Sequence, residues 1–167
     1  MLIRPETPAD LPAIHQLVTL AFASAAHSDG TEQDLVDALR AGGHCALSLV
    51  AVQDNEIVGH VLFSPATVGS HPVAALAPLA VHPDCQRQGI GSALVREGHR
   101  QIAALGYDWS VVLGSETYYP RFGYQSARAL GIRAPFDVPD ENFMAIRLRP
   151  DAPALSGVMQ YAPEFGI

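Results

Sequence analysis

The sequence has few cysteines, little charge and no long apolar run. Its 167 residues include two cysteines and 16% charged residues, below the roughly 25% of an average soluble protein. Cys45 and Cys85 have no CxxC or Cys/His spacing around them, which suits a reducing compartment where lone thiols behave as small core residues. The apolar stretches are far shorter than the roughly 18 residues that span a bilayer, and no signal-peptide pattern follows Met1. We therefore expect a cytoplasmic protein without a membrane partner.

The charge balance limits the partners further. Seventeen acidic residues against ten basic residues give a formal net charge of −7. A general nucleic-acid-binding protein normally has an overall basic surface, so we predict no nucleic-acid partner. A local basic pocket for a phosphorylated cofactor remains compatible with this balance.

The apolar content is sufficient for an ordinary core. Hydrophobic residues make up 49% of the chain, and a chain of this length buries about 70% of its unfolded surface without a metal or disulfide. No linker, repeat or low-complexity block divides it, so we predict a single domain over residues 1–167. The apolar spacing predicts strands at 2–4, 45–53, 56–64, 73–81, 109–113 and 143–148, helices over 11–22 and 89–105, and a helical turn at 118–122. This order indicates an α/β or α+β sandwich.

Local signals mark the ends and interruptions of these elements. Asp10 is expected to cap the first helix, and Thr31 followed by Asp34 resembles a capping box for another helix that ends at Gly42. The pair Asp54–Asn55 predicts a hairpin. Pro78 lies within the run 73–81, where it cannot donate to a ladder, so we expect a bulge or a separation of strands there.

The most informative stretch runs from Leu79 to Leu94. A strand ends at Val81, a loop carries Arg87 and two glycines, and a long helix begins. The free backbone N–H groups and the dipole of a helix start favour a phosphate. Gly89 and Gly91 remove the side chains that would hold a pyrophosphate away from this backbone. The stretch therefore predicts a phosphate-binding loop.

Other interpretations of the same glycines are weaker. The dinucleotide-binding fingerprint needs a third glycine where this chain has Leu94. The Walker pattern needs Lys-Ser or Lys-Thr after its second glycine, and here Ser92-Ala93 follows. A loop that merely caps a helix is the remaining alternative.

At this point the chain resembles a known family. Gln86–Gly91 reads QRQGIG, which matches the Gln/Arg-x-x-Gly-x-Gly/Ala signature of the GNAT superfamily of acetyl-CoA-dependent N-acetyltransferases. Tyr118–Tyr124 reads YYPRFGY and is similar to the Tyr-Tyr-x-Arg-Phe-Gly-Phe segment of the YhbS-like branch. The segment 136–145 is similar to the last-strand region of that branch. The resemblance covers nearly the whole chain.

The resemblance implies a mixed sheet of about seven strands flanked by helices, with acetyl-CoA in a cleft where two central strands splay apart. The backbone of Leu79 and Val81 would pair with the pantetheine arm, and the Val81 amide would polarise the thioester carbonyl. Amides of the loop and helix start would hold the pyrophosphate. The implied cofactor-binding residues are Leu79, Ala80, Val81, Gln86, Arg87, Gln88, Gly89, Ile90, Gly91 and Ser92.

The resemblance also implies the chemistry. An amine attacks the thioester directly, and Tyr119 aligns with the family tyrosine that protonates the departing CoA thiolate. Both Tyr118 and Tyr119 could instead be aromatic packing at a strand end. Cys85 could suggest an acyl-cysteine, but because the family transfers directly we interpret it as packing.

The other ionisable residues give weaker signals. The seven histidines have no paired metal spacing, so we predict no metal site. Glu32, Asp34 and Glu116 could help to deprotonate an amine, although the first two are more simply first-turn acids of a helix. The general base is not assigned.

Two functions follow from these features. The first is an N-acetyltransferase that moves an acetyl group from acetyl-CoA to a primary amine, on either a small molecule or a protein. The alternative is a catalytically silent acyl-CoA-binding sensor or assembly module. A homodimer is compatible with both. Tyr119 favours the enzyme, because a binder needs no acid for a thiolate.

Overall fold

The fold is a mixed sheet with helices on both faces, and the computed structural model describes residues 1–167. Three α-helices and nine strands form its regular elements. Their bounds are β1 Leu2–Pro5, α1 Leu11–Phe22, α2 Glu32–Ala41, β2 Leu47–Gln53, β3 Glu56–Val68, β4 His71–Val81, α3 Ile90–Ala104, β5 Trp109–Leu113, β6 Gln125–Ser126, β7 Ile132–Arg133, β8 Phe143–Arg147 and β9 Gly157–Gln160. None of the three helices has the length and apolar character needed to cross a membrane.

The sheet is antiparallel except at its centre and at one short pair. Its main path runs β1-β2-β3-β4-β5-β8-β6, and β9 pairs with both β3 and β7. The pairs β4–β5 and β7–β9 are parallel. Seven of the strands have four or more residues, while β6 and β7 have two each. This architecture confirms the predicted fold class.

Side-chain alternation divides the core between the two faces of the sheet. On one face, here called the α3 face, Phe63 of β3 packs with Leu94 of α3. On the other, the α1–α2 face, Leu62 packs with Ile14 and Leu39 of the first two helices. Ile14 and Leu39 are fully buried, which contributes roughly 1.5–3 kcal/mol of stability each.

Asp10 and Thr31 occupy the N-cap positions of α1 and α2, as the sequence predicts, but neither side chain bonds to its helix. The Asp10 carboxylate does not cap α1; it accepts from the Thr7 amide at 2.7 Å, in the turn before the helix, and pairs with Arg4. Thr31 makes no side-chain cap for α2, because its hydroxyl donates to Asp29 at 2.6 Å. Each of these two polar side chains forms hydrogen bonds outside its helix and none with the first amides of the helix.

The centre of the sheet opens at Pro78, as the sequence predicts. Between β3 and β4 the register passes from Val61 opposite Leu79 to Phe63 opposite Leu76, so β4 carries one extra residue. The pairing of β4 with β5 stops at Leu76 opposite Val112. Beyond that point β4 stays with β3, β5 stays with β8, and a cleft separates them.

Candidate active site

A cavity lies where this cleft meets the start of α3. Its volume is about 590 Å³, within the range of sites for cofactors and drug-sized ligands. Most of its lining residues belong to a loop and to the start of a helix, and two of them are charged. The lining residues are Leu79, Val81, Cys85, Gln86, Arg87, Gly89, Ile90, Gly91, Ser92, Tyr118 and Arg121.

The start of α3 presents free amide donors to the cavity. Gly89 precedes the helix with φ +85°, a left-handed conformation that glycine adopts without strain. No side chain caps the helix, and the amide of Ala93 donates to the Gly89 carbonyl as the first helical bond. The amides of the first helical turn therefore have no partner within the helix, which leaves them available to an anion.

Gly91 is needed for a different reason, because a side chain from another segment lies very close to its Cα atom. A Cβ atom at this position would lie 2.6 Å from the hydroxyl oxygen of Tyr118. Real Cβ contacts are essentially never this short, so any larger residue would displace the tyrosine. The second glycine of the loop thus makes room for an aromatic side chain from a distant segment.

The edge of β4 supplies further main-chain groups. The amide of His82 donates to the Val58 carbonyl, so these two residues form a hydrogen-bonded pair of the antiparallel ladder. Such pairs alternate along the strands, which makes Ala80 the next hydrogen-bonded residue and turns the amides of Leu79 and Val81 away from β3. Leu79 and Val81 therefore direct polar backbone groups into the cleft, while Ala80 is bonded to β3 and buried on the α1–α2 face.

The two adjacent tyrosines have different environments. Tyr118 lines the cavity, and its hydroxyl is the group that approaches Gly91. Tyr119 is not among the lining residues; its ring packs against Gly114, Phe122 and Tyr124. Burial, reinforced by Tyr118, raises the pKa of Tyr119 well above its usual value of 10. The sequence-based candidate for the acid is therefore held protonated behind its neighbour.

Most of the predicted cofactor-binding residues come together. Of the ten, Ala80 and Gln88 alone do not line the cavity, because one faces β3 and the other is exposed on the loop. Arg121 also lines the cavity, a position that its place within the YYPRFGY motif did not predict. Its guanidinium lies 4.5 Å from the Tyr118 ring centroid, and its Nε donates to the Tyr118 carbonyl at 2.9 Å. It adds a second positive charge to the cavity wall beside Arg87.

The three acidic residues that are candidates for the general base lie near other side chains and away from the cavity. Glu116 accepts from the Asn142 side chain at 2.7 Å, and Asn142 also donates to the Gly114 carbonyl. Glu32 accepts a hydrogen bond from the Ser28 hydroxyl. None of the three acids lines the cavity. A carboxylate oxygen of Asp34 instead lies within 4.8 Å of ligand atoms of His15 and Asp37, in a grouping with two exposed members that sequence spacing did not reveal. The absence of a metal site stays a prediction.

Comparison with known proteins agrees with this geometry. The Acetyltransferase (GNAT) family matches residues 11–124. The chain is 36% identical to the uncharacterized N-acetyltransferase YhbS of Escherichia coli (strain K12), over 99% of this chain and 98% of that protein. The crystal structure of E. coli YhbS in complex with CoA superposes with a TM-score of 0.91 at 34% identity, covering 99% of this chain and 92% of that one. A GNAT family acetyltransferase from Brucella melitensis in complex with acetyl-CoA gives a TM-score of 0.83 at 36% identity, over 98% and 97% of the two chains. The resemblance drawn from the two sequence motifs is thus confirmed, and the chain belongs to the GNAT family of acetyltransferases.

Proposed function

We propose that this protein transfers an acetyl group from acetyl-CoA to a primary amine by direct attack of the amine on the thioester. The cavity at the start of α3 carries the proposal, because it joins free helix amides to an unpaired strand edge. The relatives from E. coli and B. melitensis, crystallised with CoA and acetyl-CoA, support the same ligand here. A cytoplasmic location stays a prediction.

The cavity fits the parts of acetyl-CoA in order. The amides of residues 89–92 bind the pyrophosphate, helped by the helix dipole and by Arg87 and Arg121. The backbone of Leu79 and Val81 pairs with the amides of the pantetheine arm along the open edge of β4. In this arrangement the thioester lies in the cleft between β4 and β5.

The chain's own groups then act on the reacting atoms. The amine nitrogen attacks the thioester carbonyl carbon, and negative charge develops on the carbonyl oxygen. The Val81 amide stabilises that charge; one such donor contributes about 3 kcal/mol in other acyl transferases. The carbon–sulfur bond breaks, the nitrogen loses a proton to solvent, and the thiolate accepts a proton as it leaves.

Two adjacent phenols are candidates for the proton donor. Tyr119 is the candidate from sequence, but a phenol whose pKa is raised by burial gives its proton less readily to the departing thiolate. The Tyr118 hydroxyl lies at the cavity wall beside Gly91. We propose that Tyr118 donates the proton and that Tyr119 positions its ring, with which it makes an edge-to-face contact at 5.1 Å between centroids.

The experiment that tests the enzyme combines binding with turnover. The purified protein is titrated with acetyl-CoA by calorimetry, and then incubated with radiolabelled acetyl-CoA and a panel of primary amines. We expect binding, and amine-dependent release of CoA. Tight binding without turnover on any amine would support the silent sensor, and no binding would contradict the cavity assignment itself.

A further inference from the structure

A second cavity lies on the opposite face of the sheet from α3. Its volume is about 220 Å³, below the range typical of drug-sized ligands and suited to a small metabolite. It lies beside β8, between β7 and the segment that leads into β8. Apolar residues form most of its wall, and four charged residues stand at its rim. The apolar residues are Ile132, Ala134, Phe136, Val138 and Phe143, and the charged ones are Arg128, Arg133, Asp137 and Asp140.

Two of the four charged residues at the rim lie close to each other, and the other two have no charged partner. Arg128 lies 3.5 Å from Asp140. Arg133 and Asp137 have no oppositely charged partner within 4.0 Å, and both are exposed. The cavity therefore offers one free positive and one free negative group around an apolar wall. This combination suits a ligand with charges of both signs and an apolar body.

One apolar residue, Leu113, lies between this cavity and the cleft. Leu113 ends β5 and stands directly opposite Phe143 of β8, so the two side chains project from the same face. Leu113 is 48% exposed, so a ligand on this face can contact its side chain. The cleft begins on the other side of β5, so it lies about one to two strand spacings, roughly 5–10 Å, from Phe143. A small molecule can span that distance.

We propose that the acceptor is a free α-amino acid with a large apolar side chain, and this rests on the proposed acetyltransferase function. Its side chain lies against Phe136 and Phe143, its carboxylate accepts from Arg133, and its amine reaches over Leu113 into the cleft. Asp137 attracts the ammonium form as it approaches.

The reaction with such an acceptor balances without another reagent. The neutral α-amine forms a bond to the thioester carbonyl carbon, and the carbon–sulfur bond breaks. The nitrogen releases one proton to solvent, and the CoA thiolate accepts one. The products are an N-acetyl amino acid and CoA.

A substrate series tests the three points of attachment. CoA release is measured with acetyl-CoA and L-phenylalanine, with phenethylamine, which lacks the carboxylate, and with L-alanine, which lacks the apolar body. We expect kcat/KM for L-phenylalanine to exceed both others by at least about tenfold. Equal or higher values for phenethylamine would overturn the carboxylate contact, and equal values for L-alanine would overturn the apolar wall.

A matched pair of variants tests the residues. Arg133→Gln is expected to raise KM for L-phenylalanine about tenfold and to leave KM for phenethylamine and acetyl-CoA affinity unchanged. Arg100→Gln removes an exposed arginine on α3, on the other face, and is expected to change none of these values. If the two variants behave alike towards L-phenylalanine, the assignment of Arg133 is wrong.

A binding measurement separates the inference from the enzyme proposal. N-acetyl-L-phenylalanine is titrated into the protein alone and into the protein saturated with CoA, with NMR shifts of the residues around the second cavity as the readout. Shifts there that Arg133→Gln weakens support the cavity even if acetyl-CoA were never turned over. Normal acetyl-CoA binding and turnover of other amines, with no shifts in the second cavity, would overturn this inference and leave the acetyltransferase proposal standing.

Discussion

The two cavities lie on opposite faces of one sheet and are built from different parts of the chain. The first uses main-chain groups, from the start of α3 and the edge of β4, in a short continuous stretch. The second uses side chains from β7, β8 and the irregular segment between them. A main-chain site is broken only when its geometry changes, whereas a side-chain site changes its preference with each substitution. Acetyl-donor binding should therefore respond mainly to substitutions that change the backbone geometry, and acceptor choice should change with substitutions of single side chains.

The largest expected effect comes from adding bulk and charge at the main-chain site. Gly91→Glu brings a Cβ within 2.6 Å of the Tyr118 hydroxyl and a carboxylate to the pyrophosphate position. We expect at least a hundredfold loss of acetyl-CoA affinity by calorimetry, with the fold retained by circular dichroism because an acid near a helix start is well tolerated. Ala104→Glu is the control, since it adds the same charge at the other end of α3, about 20 Å away. Unchanged affinity in a folded Gly91→Glu variant would contradict the phosphate-loop assignment.

A second effect, on stability, compares the two faces directly, because one contains a buried neutral histidine and the other a partly buried one. Burial lowers the pKa of both His60 and His99 to about 4. Since the folded pKa lies below the unfolded value of about 6.5, the unfolded chain binds more protons between these values, and stability decreases as pH falls from about 6.5 to 4. For His60 alone the expected loss between pH 7 and pH 5 is about 2 kcal/mol.

Urea unfolding at pH 7 and pH 5, with NMR titration of the imidazole protons, measures this loss. Replacement of either histidine by glutamine should flatten the pH dependence. Variants with the full wild-type slope would show that other groups control acid stability.

Substitution of the two tyrosines on the α3 face is expected to have a smaller effect, which is on kcat. Tyr118→Phe is expected to lower kcat at least about tenfold with little change in acetyl-CoA affinity, because the hydroxyl acts only as the thiolate leaves. Tyr119→Phe keeps the ring and its packing, so its effect should be weaker. The double Phe variant is the control for the case in which one tyrosine hydroxyl takes over the role of the other. Should the double variant, shown to be folded, turn over at the wild-type rate, neither tyrosine is the acid.

The smallest predicted effect is a rescue. Gly91→Ala gains up to about 1 kcal/mol of helix propensity but displaces the Tyr118 hydroxyl, so we expect a few-fold weaker acetyl-CoA binding. In a Tyr118→Phe background the same substitution meets no hydroxyl, and the loss of affinity should largely disappear. Calorimetry on the four proteins of this cycle measures the coupling. An additive cycle would mean that the approach of Tyr118 to Gly91 does not shape the site.

The same division between main-chain and side-chain features decides which parts of the structure can be predicted from the sequence. The glycines of the α3 loop and Pro78 in β4 act through the backbone, and their local effects can be predicted from neighbouring residues. Tyr119 is different, because whether its ring or that of Tyr118 faces the cavity depends on packing against Gly114 and Tyr124. Sequence order contains no such information.

Short irregular elements were also beyond prediction. The strands β6 and β7 have two residues each, too few for any periodicity, and they are held by partners far along the chain. The second cavity is built from this region. Its residues therefore gave no motif, and only the fold brings Arg133 and Phe143 to the same opening.

The open edge of β4 gives the bound ligand a structural part to play as well as a chemical one. The amides of Leu79 and Val81 form an exposed template of the kind that natural sheets usually cover, because such edges recruit other strands. A pantetheine arm that bonds to them would act as a short extra strand and close the gap between β4 and β5. Bound acetyl-CoA would then stabilise the folded chain by linkage, so that the concentration of the donor substrate also determines how readily the centre of the sheet opens.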